Sequence, residues 1–245
     1  MPINLKKRYG QNFLIDQNIL SKISNLIHTD NLKILEIGPG DGRLTDKIIS
    51  KRPALLTLVE IDKDLIKNLN EKYSNNKIIK LVNADILKYK ISEKYELVIS
   101  NLPYNISSQI LVKLSIMNTI PDTLILMFQK EFAQRLLEKK LNAINSLVCC
   151  FYNIKLNFNV SKNCFRPLPK VDSSILTFKK MEKKLLNVDE INNFIIFKRN
   201  LFSHKRKSLK NLLKKYNLKN KFDLNLRVED LKLNELVNIF KAISS

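Results

Sequence analysis

The chain of 245 residues lacks tryptophan and contains only four glycines and three cysteines. The cysteines Cys149, Cys150 and Cys164 are odd in number and have neither metal-ligand spacing nor histidine partners, so we expect no disulfide framework and no metal site. They are predicted to be buried strand residues. No apolar run reaches the roughly 20 residues of a membrane-spanning helix, and no secretory signal is evident at the amino terminus. These absences predict a globular cytoplasmic protein.

Acidic residues are scarce relative to basic ones, with 23 Asp and Glu against 43 Lys and Arg and a formal net charge of +20. Between Lys198 and Lys221 there are ten basic residues and no acidic one. Such an excess favours a polyanionic partner such as RNA, because phosphate binding releases counterions. Codon bias is the alternative, but it does not explain a local depletion of acidic residues. An anionic membrane is less favoured, because no strongly amphipathic basic helix rich in aromatic residues is evident.

Apolar runs alternate with helical patterns to about residue 137, which is typical of a doubly wound parallel sheet. Strands are predicted near residues 33–37, 55–60, 78–82, 95–100 and 123–128. Two longer strands, 147–160 and 171–178, are expected at the antiparallel edge of the sheet. Later apolar periodicities predict three or more helices. We therefore expect an α/β catalytic domain over residues 1–180, with a basic amino-terminal arm, and a small helical RNA-binding domain over residues 181–245.

Three of the four glycines lie in one segment, Ile34-Leu35-Glu36-Ile37-Gly38-Pro39-Gly40-Asp41-Gly42. Glycine there allows a tight turn and a close approach of the backbone to a ligand. A dinucleotide fingerprint would need glycine at Arg43, and a phosphate loop would need a Gly-Lys-Ser/Thr ending. The segment instead resembles the S-adenosylmethionine loop of class I methyltransferases. The alternative is a strand-to-helix turn without a ligand.

Two further strand ends carry carboxylates. Glu60, about 20 residues beyond the glycine turn, is placed to accept hydrogen bonds from ribose hydroxyls and fits that role better than Asp62. Asp85 follows the third strand and could accept a hydrogen bond from the amino group of the cofactor's adenine. Either carboxylate could instead cap the helix that follows it.

The polar loop Asn101-Leu102-Pro103-Tyr104 follows an apolar run, at the end of a strand where open α/β sheets bind their ligands. The Asn101 side-chain oxygen and the Leu102 carbonyl could accept both hydrogens of an adenine amine and aim its lone pair at an electrophilic methyl group. Pro103 would stiffen the loop, and Tyr104 could stack on an extruded base. The alternative is a simple turn, in which Asn and Pro are common.

Six segments, in order along nearly the whole chain, resemble the KsgA-type ribosomal RNA adenine dimethyltransferase family. They are Gln11-Asn12-Phe13-Leu14, Glu36-Ile37-Gly38-Pro39-Gly40, Asn101-Leu102-Pro103-Tyr104-Asn105-Ile106-Ser107, Phe128-Gln129-Lys130-Glu131, Phe165-Arg166-Pro167-Leu168-Pro169-Lys170-Val171-Asp172-Ser173 and Phe202-Ser203-His204-Lys205-Arg206-Lys207-Ser208-Leu209. The resemblance departs at Ala143-Ile144-Asn145, where the family usually has Tyr-Gly, and the carboxyl-terminal domain is short.

The resemblance implies a class I methyltransferase, with a Rossmann-like doubly wound sheet and a small all-α domain, that uses S-adenosylmethionine. The implied reaction is dimethylation of two adjacent adenosines in the 3′-terminal hairpin of small-subunit (16S) ribosomal RNA during ribosome biogenesis. The implied partner is this RNA, in a precursor of the small subunit. Neither a membrane nor an obligate protein partner is expected, and a monomer is the default.

The resemblance also implies roles for individual residues. The expected cofactor contacts are Asn12, Leu14, Gly38, Gly40, Glu60, Asp85 and Asn101. Tyr104 and Phe165 are expected to pack on the target adenine, although Phe165 could instead be a core aromatic at a strand end. The expected RNA contacts are the basic residues Lys6, Lys7, Arg8, Arg166, Lys205, Arg206 and Lys207.

Three other functions stay open from the sequence. A macrolide-resistance-type methyltransferase of large-subunit RNA shares the catalytic loop, but the 165–173 and 202–209 segments argue against it. DNA adenine methyltransferases usually carry Asp or Ser at the position of Asn101. A non-catalytic RNA-binding assembly or transcription factor is disfavoured because Gly38, Glu60, Asp85 and Asn101 are intact.

Overall fold

The computed structural model describes residues 11–216, 218 and 222–244. The basic residues Lys6, Lys7 and Arg8, predicted to contact RNA, lie outside the described residues. The strands are β1 (Phe13–Leu14), β2 (Lys33–Ile37), β3 (Leu55–Glu60), β4 (Ile79–Asn83), β5 (Leu97–Asn101), β6 (Thr123–Gln129), β7 (Tyr152–Val160), β8 (Phe165–Arg166) and β9 (Ser173–Lys180). The helices are α1 (Gln17–Ser24), α2 (Arg43–Ile49), α3 (Lys63–Tyr73), α4 (Ser107–Ser115), α5 (Lys130–Leu137), α6 (Asn145–Val148), α7 (Ile191–Phe202), α8 (Leu209–Leu212) and α9 (Leu233–Ser244).

Seven strands form one sheet in the order β4-β3-β2-β5-β6-β9-β7. The first five of these are parallel, and β9 runs antiparallel to β6. The order reverses between β2 and β5, which is the point where doubly wound sheets bind their ligands. The predicted doubly wound fold is therefore confirmed, and the strands expected near 147–160 and 171–178 lie at the sheet edge as β7 and β9.

The central strands are buried on both faces because helices cover a parallel sheet on both sides. Strands β3 and β6 consist almost wholly of buried residues, including the polar Thr57. The Tyr95 hydroxyl donates to the Thr57 hydroxyl at 3.0 Å, which satisfies that polar group in the core. Continuous apolar runs in the sequence thus correspond to the interior of the sheet.

The prediction of a strand from residue 147 was wrong, because residues 145–148 form α6 and the strand begins at Tyr152. The Asn142 side-chain oxygen accepts the backbone N–H groups of Ile144 and Asn145, both at 3.0 Å, and so satisfies two donors at the start of the helix. Every residue of α6 is buried, and a fully buried apolar run does not distinguish a short helix from a strand.

The expected strand position of the cysteines was wrong for the same reason. Cys149 and Cys150 lie in the turn after α6, and Cys164 lies in a short 3-10 helix, Lys162–Cys164. Only Cys150 is buried, whereas the other two are partly exposed. Burial raises the pKa of the Cys150 thiol to about 12 and that of Cys149 to about 11, so both stay protonated at neutral pH.

The chain divides into two compact units, residues 1–133 with 154–180 and residues 134–153 with 181–245. Residues 134–153, which the sequence places with the α/β domain, group with the second unit. In that unit the rings of Phe194 and Phe240 pack edge to face, with centroids 5.2 Å apart. The assignment of catalysis to one domain and of RNA binding to the other stays a prediction. No helix in the described part of the chain is long and apolar enough to cross a membrane.

Candidate active site at the carboxyl ends of the strands

A cleft opens at the carboxyl ends of the parallel strands. Its walls are the glycine turn after β2, the ends of β3 and β5, the turn after β4 and the segment 11–14. The cofactor and loop residues expected from the sequence line this one cleft: Asn12, Leu14, Gly38, Gly40, Glu60, Asp85, Asn101, Leu102, Pro103 and Tyr104. Glu60, Asp85 and Asn101 meet because parallel strands end at the same edge of the sheet.

The glycine turn has left-handed backbone angles that side chains rarely allow. Gly38 has a φ of +64°, and a Cβ atom there would meet nothing within 4 Å. Gly40 has a φ of +61°, and a Cβ atom there would lie 2.7 Å from the ring of Phe13. Gly38 therefore leaves space within the cleft for a ligand, whereas Gly40 leaves space for an aromatic ring of the protein.

Glu60 is held by backbone donors at the end of β3. Its carboxylate accepts the N–H groups of Gly40 at 3.3 Å and of Asp62 at 2.9 Å. Burial raises its pKa, and these hydrogen bonds oppose the rise. Asp62 is engaged elsewhere, because one of its oxygens caps α3 through Asp64 and the other accepts from Gln11. Glu60 is among the residues that line the cleft, and Asp62 is not.

Glu36 lies beneath the glycine turn and is only 1% exposed. Burial raises the pKa of its carboxyl to about 8, although a hydrogen bond from the Thr45 hydroxyl, at 2.7 Å, opposes the rise. The negative charges of the nearby Asp46 and Glu60 raise the pKa of Glu36 further. The floor of the cleft thus carries a carboxyl group that is largely protonated at neutral pH.

Asp85 caps a turn, and not a helix as the sequence allowed, while its contact with the adenine of a cofactor stays a prediction. One side-chain oxygen accepts the backbone N–H of Leu87 at 2.9 Å, so the carboxylate caps the turn after β4. The residue also lines the cleft between Ala84 and Ile86. A carboxylate has about four acceptor positions, so capping leaves it able to bind a ligand.

Asn101 is the last residue of β5, and its side chain is anchored to the amino-terminal segment. The side-chain amide donates to the backbone carbonyl of Asn12 at 3.0 Å. With its nitrogen so engaged, the amide keeps its oxygen as an acceptor. The side chain of Leu102 is buried, and the Pro103 carbonyl accepts from the Ile106 N–H at 3.2 Å, which fixes the start of α4.

The Tyr104 hydroxyl lies 2.6 Å from the Ser173 hydroxyl oxygen, and burial raises its pKa. Ser173 is fully buried at the start of β9. The Tyr104 carbonyl also accepts from the Ser107 hydroxyl at 3.1 Å. Tyr104 is thereby fixed at both its backbone and its ring. The sequence assigned no role to Ser173, although this residue belongs to the 165–173 segment.

Phe165 is 0% exposed and belongs to the hydrophobic core with Leu14 and Leu20. It lies in β8, which pairs with β1 through the partners Phe13↔Arg166 and Leu14↔Phe165. In this conformation the ring offers no surface to a base, as expected for the alternative of a core aromatic. Its contact with the target adenine stays a prediction and would require the ring to become accessible.

The described basic residues predicted to contact RNA lie at the surface of their respective units. The Arg166 guanidinium donates to the Phe165 carbonyl at 2.8 Å. Lys205 is 3.6 Å from Glu229, and this acidic partner reduces its availability to phosphate. Arg206 and Lys207 are exposed. Within the described residues, no three His, Cys, Asp or Glu side chains are grouped so as to hold a metal ion.

The strand order, the antiparallel β9 and the glycine turn above the reversal of the sheet define a class I methyltransferase fold. Solved structures share it. The 23S rRNA methyltransferase ErmE aligns with a TM-score of 0.76 and 22% identity, covering 95% of this chain and all of the other. A dimethyladenosine transferase from Plasmodium falciparum aligns with a TM-score of 0.77 and 26% identity, covering 94% of this chain and 95% of the other.

The sequence comparisons narrow the class to a family. A family profile described as "Ribosomal RNA adenine dimethylase" matches residues 3–245. A protein of Mycoplasmopsis pulmonis named "Ribosomal RNA small subunit methyltransferase A" is 38% identical, over 96% of this chain and 97% of its own length. A protein of Pelagibacter ubique with the same name is 40% identical over 94% of both chains. This chain belongs to the ribosomal RNA adenine dimethylase family.

Proposed function

We propose that this protein dimethylates the exocyclic amines of two adjacent adenosines in the 3′-terminal hairpin of small-subunit ribosomal RNA, with S-adenosylmethionine as donor. The observation that carries the proposal is the anchored amide of Asn101 at the end of β5, within the same cleft as Glu60 and Asp85. The names of the relatives from Mycoplasmopsis pulmonis and Pelagibacter ubique support the small-subunit substrate.

The residues of the cleft fit S-adenosylmethionine. The space beside Gly38 accommodates a ligand at the backbone, and Arg43, the basic residue at the end of the turn, is paired with Asp41 at 2.8 Å. Glu60 offers carboxylate oxygens to ribose hydroxyls, and Asp85 offers them to the adenine amine. Glu36, at the floor of the cleft beneath the turn, is largely protonated near neutral pH and therefore does not add a full negative charge to the cleft. Asn12, Leu14 and Gly40 complete the wall beside them.

When bound, the donor supplies an electrophilic sulfonium methyl group. The side chains then have to position the amine, because the nitrogen lone pair of adenine is delocalised into the ring. The Asn101 oxygen and the Leu102 carbonyl accept the two amine hydrogens and direct the lone pair towards the methyl group. Both acceptors also stabilise the positive charge that develops on the nitrogen.

Tyr104 holds the extruded base by stacking. Its hydrogen bond to Ser173 limits rotation of the ring, so the stacking surface is set before the base arrives. Pro103 restricts the loop between the two acceptors and the ring. As the methyl group moves from the donor's sulfur to the amine nitrogen, the nitrogen gives up one proton to solvent. One hydrogen remains on the amine after the first transfer, so the second transfer requires the pocket to admit a methyl group beside one of the acceptors.

The structural likeness to ErmE raises a large-subunit substrate as the competing function. That likeness is at 22% identity, whereas the small-subunit relatives from Mycoplasmopsis pulmonis and Pelagibacter ubique are at 38% and 40%. We therefore favour small-subunit RNA, in a precursor of the small subunit.

The test is incubation of the protein with methyl-labelled S-adenosylmethionine and one of three substrates: undermethylated small subunits, large subunits or duplex DNA. The expected product is dimethyladenosine in small-subunit RNA, two per particle, by nucleoside analysis. Asn101→Ala is the matched control for contaminating activity. Label confined to large subunits or DNA would refute the proposal, as would dimethyladenosine formation at the wild-type rate by the Asn101→Ala variant.

A further inference from the structure

Lys113, on helix α4, contacts the turn that carries Asp85. Its ammonium group donates to the backbone carbonyls of Ile86, Leu87 and Tyr89 at 2.7, 3.1 and 2.6 Å. An ammonium group has three N–H donors, and here each has a carbonyl partner. All of these residues belong to the same compact unit.

The turn needs such a donor because of how it is built. The Asp85 side chain caps its first N–H group, and the Asp85 carbonyl accepts from Lys88 and Tyr89 at 2.9 and 2.8 Å. The chain then leaves the helical path, so the carbonyls that follow have no helical partner. A cation at this end of a helical turn also interacts favourably with the turn's dipole.

Lys113 is partly buried, and burial lowers its pKa while the charge of Asp85 opposes that change. The ammonium thus also lies within electrostatic reach of the carboxylate that it helps to place. Helix α4 begins at Ser107, shortly after the Asn101–Tyr104 loop, and Ile110 of the same helix lines the cleft. One helix therefore connects the loop for the target base with the turn at the other side of the cleft.

We propose that Lys113 is a positioning residue that fixes Asp85 for recognition of the adenine of the methyl donor. This inference rests on the proposed function, since it assumes S-adenosylmethionine in the cleft. Lys113 does not line the cleft, so it acts through the turn. Loss of its three hydrogen bonds frees the carbonyls of Ile86, Leu87 and Tyr89 and loosens the Asp85 carboxylate relative to the cleft wall.

The test uses Lys113→Met, which keeps the length of the side chain and removes its donors and charge. Lys88→Met is the matched control, because Lys88 is exposed on the same turn and its removal changes the net charge equally. Binding of two ligands is measured by titration calorimetry on the full chain. One ligand is S-adenosylhomocysteine. The other is its inosine analogue, in which a 6-oxo group that accepts hydrogen bonds replaces the adenine amine that donates them.

The wild type and Lys88→Met are expected to bind the adenine ligand at least about tenfold more tightly than the inosine analogue, because the analogue leaves the Asp85 carboxylate without its donor. Lys113→Met is expected to lose about tenfold in affinity for the adenine ligand and little for the analogue, so the ratio of the two affinities should be about tenfold lower than in the wild type. In steady-state methylation, KM for the donor should rise, whereas kcat at saturating donor and KM for RNA should stay near wild type.

An unchanged affinity ratio in Lys113→Met overturns the inference, even if both affinities fall together, because equal losses indicate a general structural role. If Lys113→Met does not fold, Lys113→Gln takes its place. Its shorter side chain has two N–H donors, so the ratio should fall less but in the same direction, and an unchanged ratio again overturns the inference. A wild type that binds neither ligand would instead contradict the proposed function.

Discussion

The side-chain amide of Asn101 donates to the backbone carbonyl of Asn12 across 3.0 Å, joining positions 89 residues apart in the sequence. The bond orients the amide, because an amide whose nitrogen is held by a carbonyl has its oxygen on the other side. The segment that contains Asn12 therefore helps to orient the amide that we propose holds the target amine. Its contribution here comes from the backbone and does not require a particular side chain.

Replacing Asn101 with Ala should affect turnover far more than donor binding. Removal of a preorganised acceptor of this kind lowers kcat by about 10²–10³-fold. Binding of S-adenosylhomocysteine should weaken by less than about tenfold, since one hydrogen bond is removed. Single-turnover methylation and calorimetry measure the two effects separately. Equal losses of turnover and donor affinity would contradict a role for Asn101 in holding the amine.

Tyr104→Phe should have a smaller effect than Tyr104→Ala. Phe keeps the stacking surface and loses only the hydrogen bond to Ser173, so a reduction in kcat/KM of less than about tenfold is expected. Ala removes a base–aromatic stack, which contributes about 1–3 kcal/mol, so kcat/KM for RNA should fall by roughly 5- to 150-fold. Methylation kinetics at limiting RNA provide the comparison. Similar losses in both variants would assign the role to the hydroxyl instead.

The two glycines of the turn should respond differently to replacement by Ala. Both variants suffer strain at positive φ, of about 1–2 kcal/mol. In Gly40→Ala the new methyl group also collides with the Phe13 ring, so this variant should show the larger loss of melting temperature. In Gly38→Ala the methyl group enters the space left for the donor. For the same loss of melting temperature, Gly38→Ala should therefore lose more affinity for the donor than Gly40→Ala. The reverse pattern would place the donor elsewhere.

Glu36 should make stability fall as pH rises from about 4.5 to about 8. Its ordinary pKa of 4.5 applies to the unfolded chain, whereas burial raises the folded pKa to about 8. The folded state therefore binds more protons in this window, and the stability present below pH 4.5 is lost as pH rises through 8. Glu36→Gln removes this dependence of stability on pH. It should raise the free energy of unfolding of the ligand-free protein by roughly 3–5 kcal/mol at pH 8. The gain in melting temperature over wild type should be larger at pH 8 than at pH 5, and an equal gain would contradict a raised pKa.

Much of the site could be predicted because it depends on local patterns that a parallel sheet brings together. Glu60 and Asn101 end two apolar runs, and Asp85 closely follows a third, so each was placed near the carboxyl edge of the sheet. Partners from distant segments could not be found in this way. Ser173 and Lys113 have no local signature, because their contacts depend on the packing of one element against another. The helix α6 was missed because complete burial removes the polar spacing that marks a helix.

The pairing of β1 with β8 has a consequence for when the site can form. The wall of the cleft at residues 12–14 is held by Phe165 and Arg166, more than 150 positions later in the chain. Closing so long a loop is slow compared with local contacts, and it cannot begin until the later segment has been synthesised. A nascent chain that ends before residue 165 already contains the glycine turn, Glu60, Asp85 and Asn101, but lacks the strand that secures the wall beside them. Completion of the cleft therefore requires synthesis of the chain at least to Arg166, so binding in the cleft reports that all of the parallel strands and the β1–β8 pair have been made.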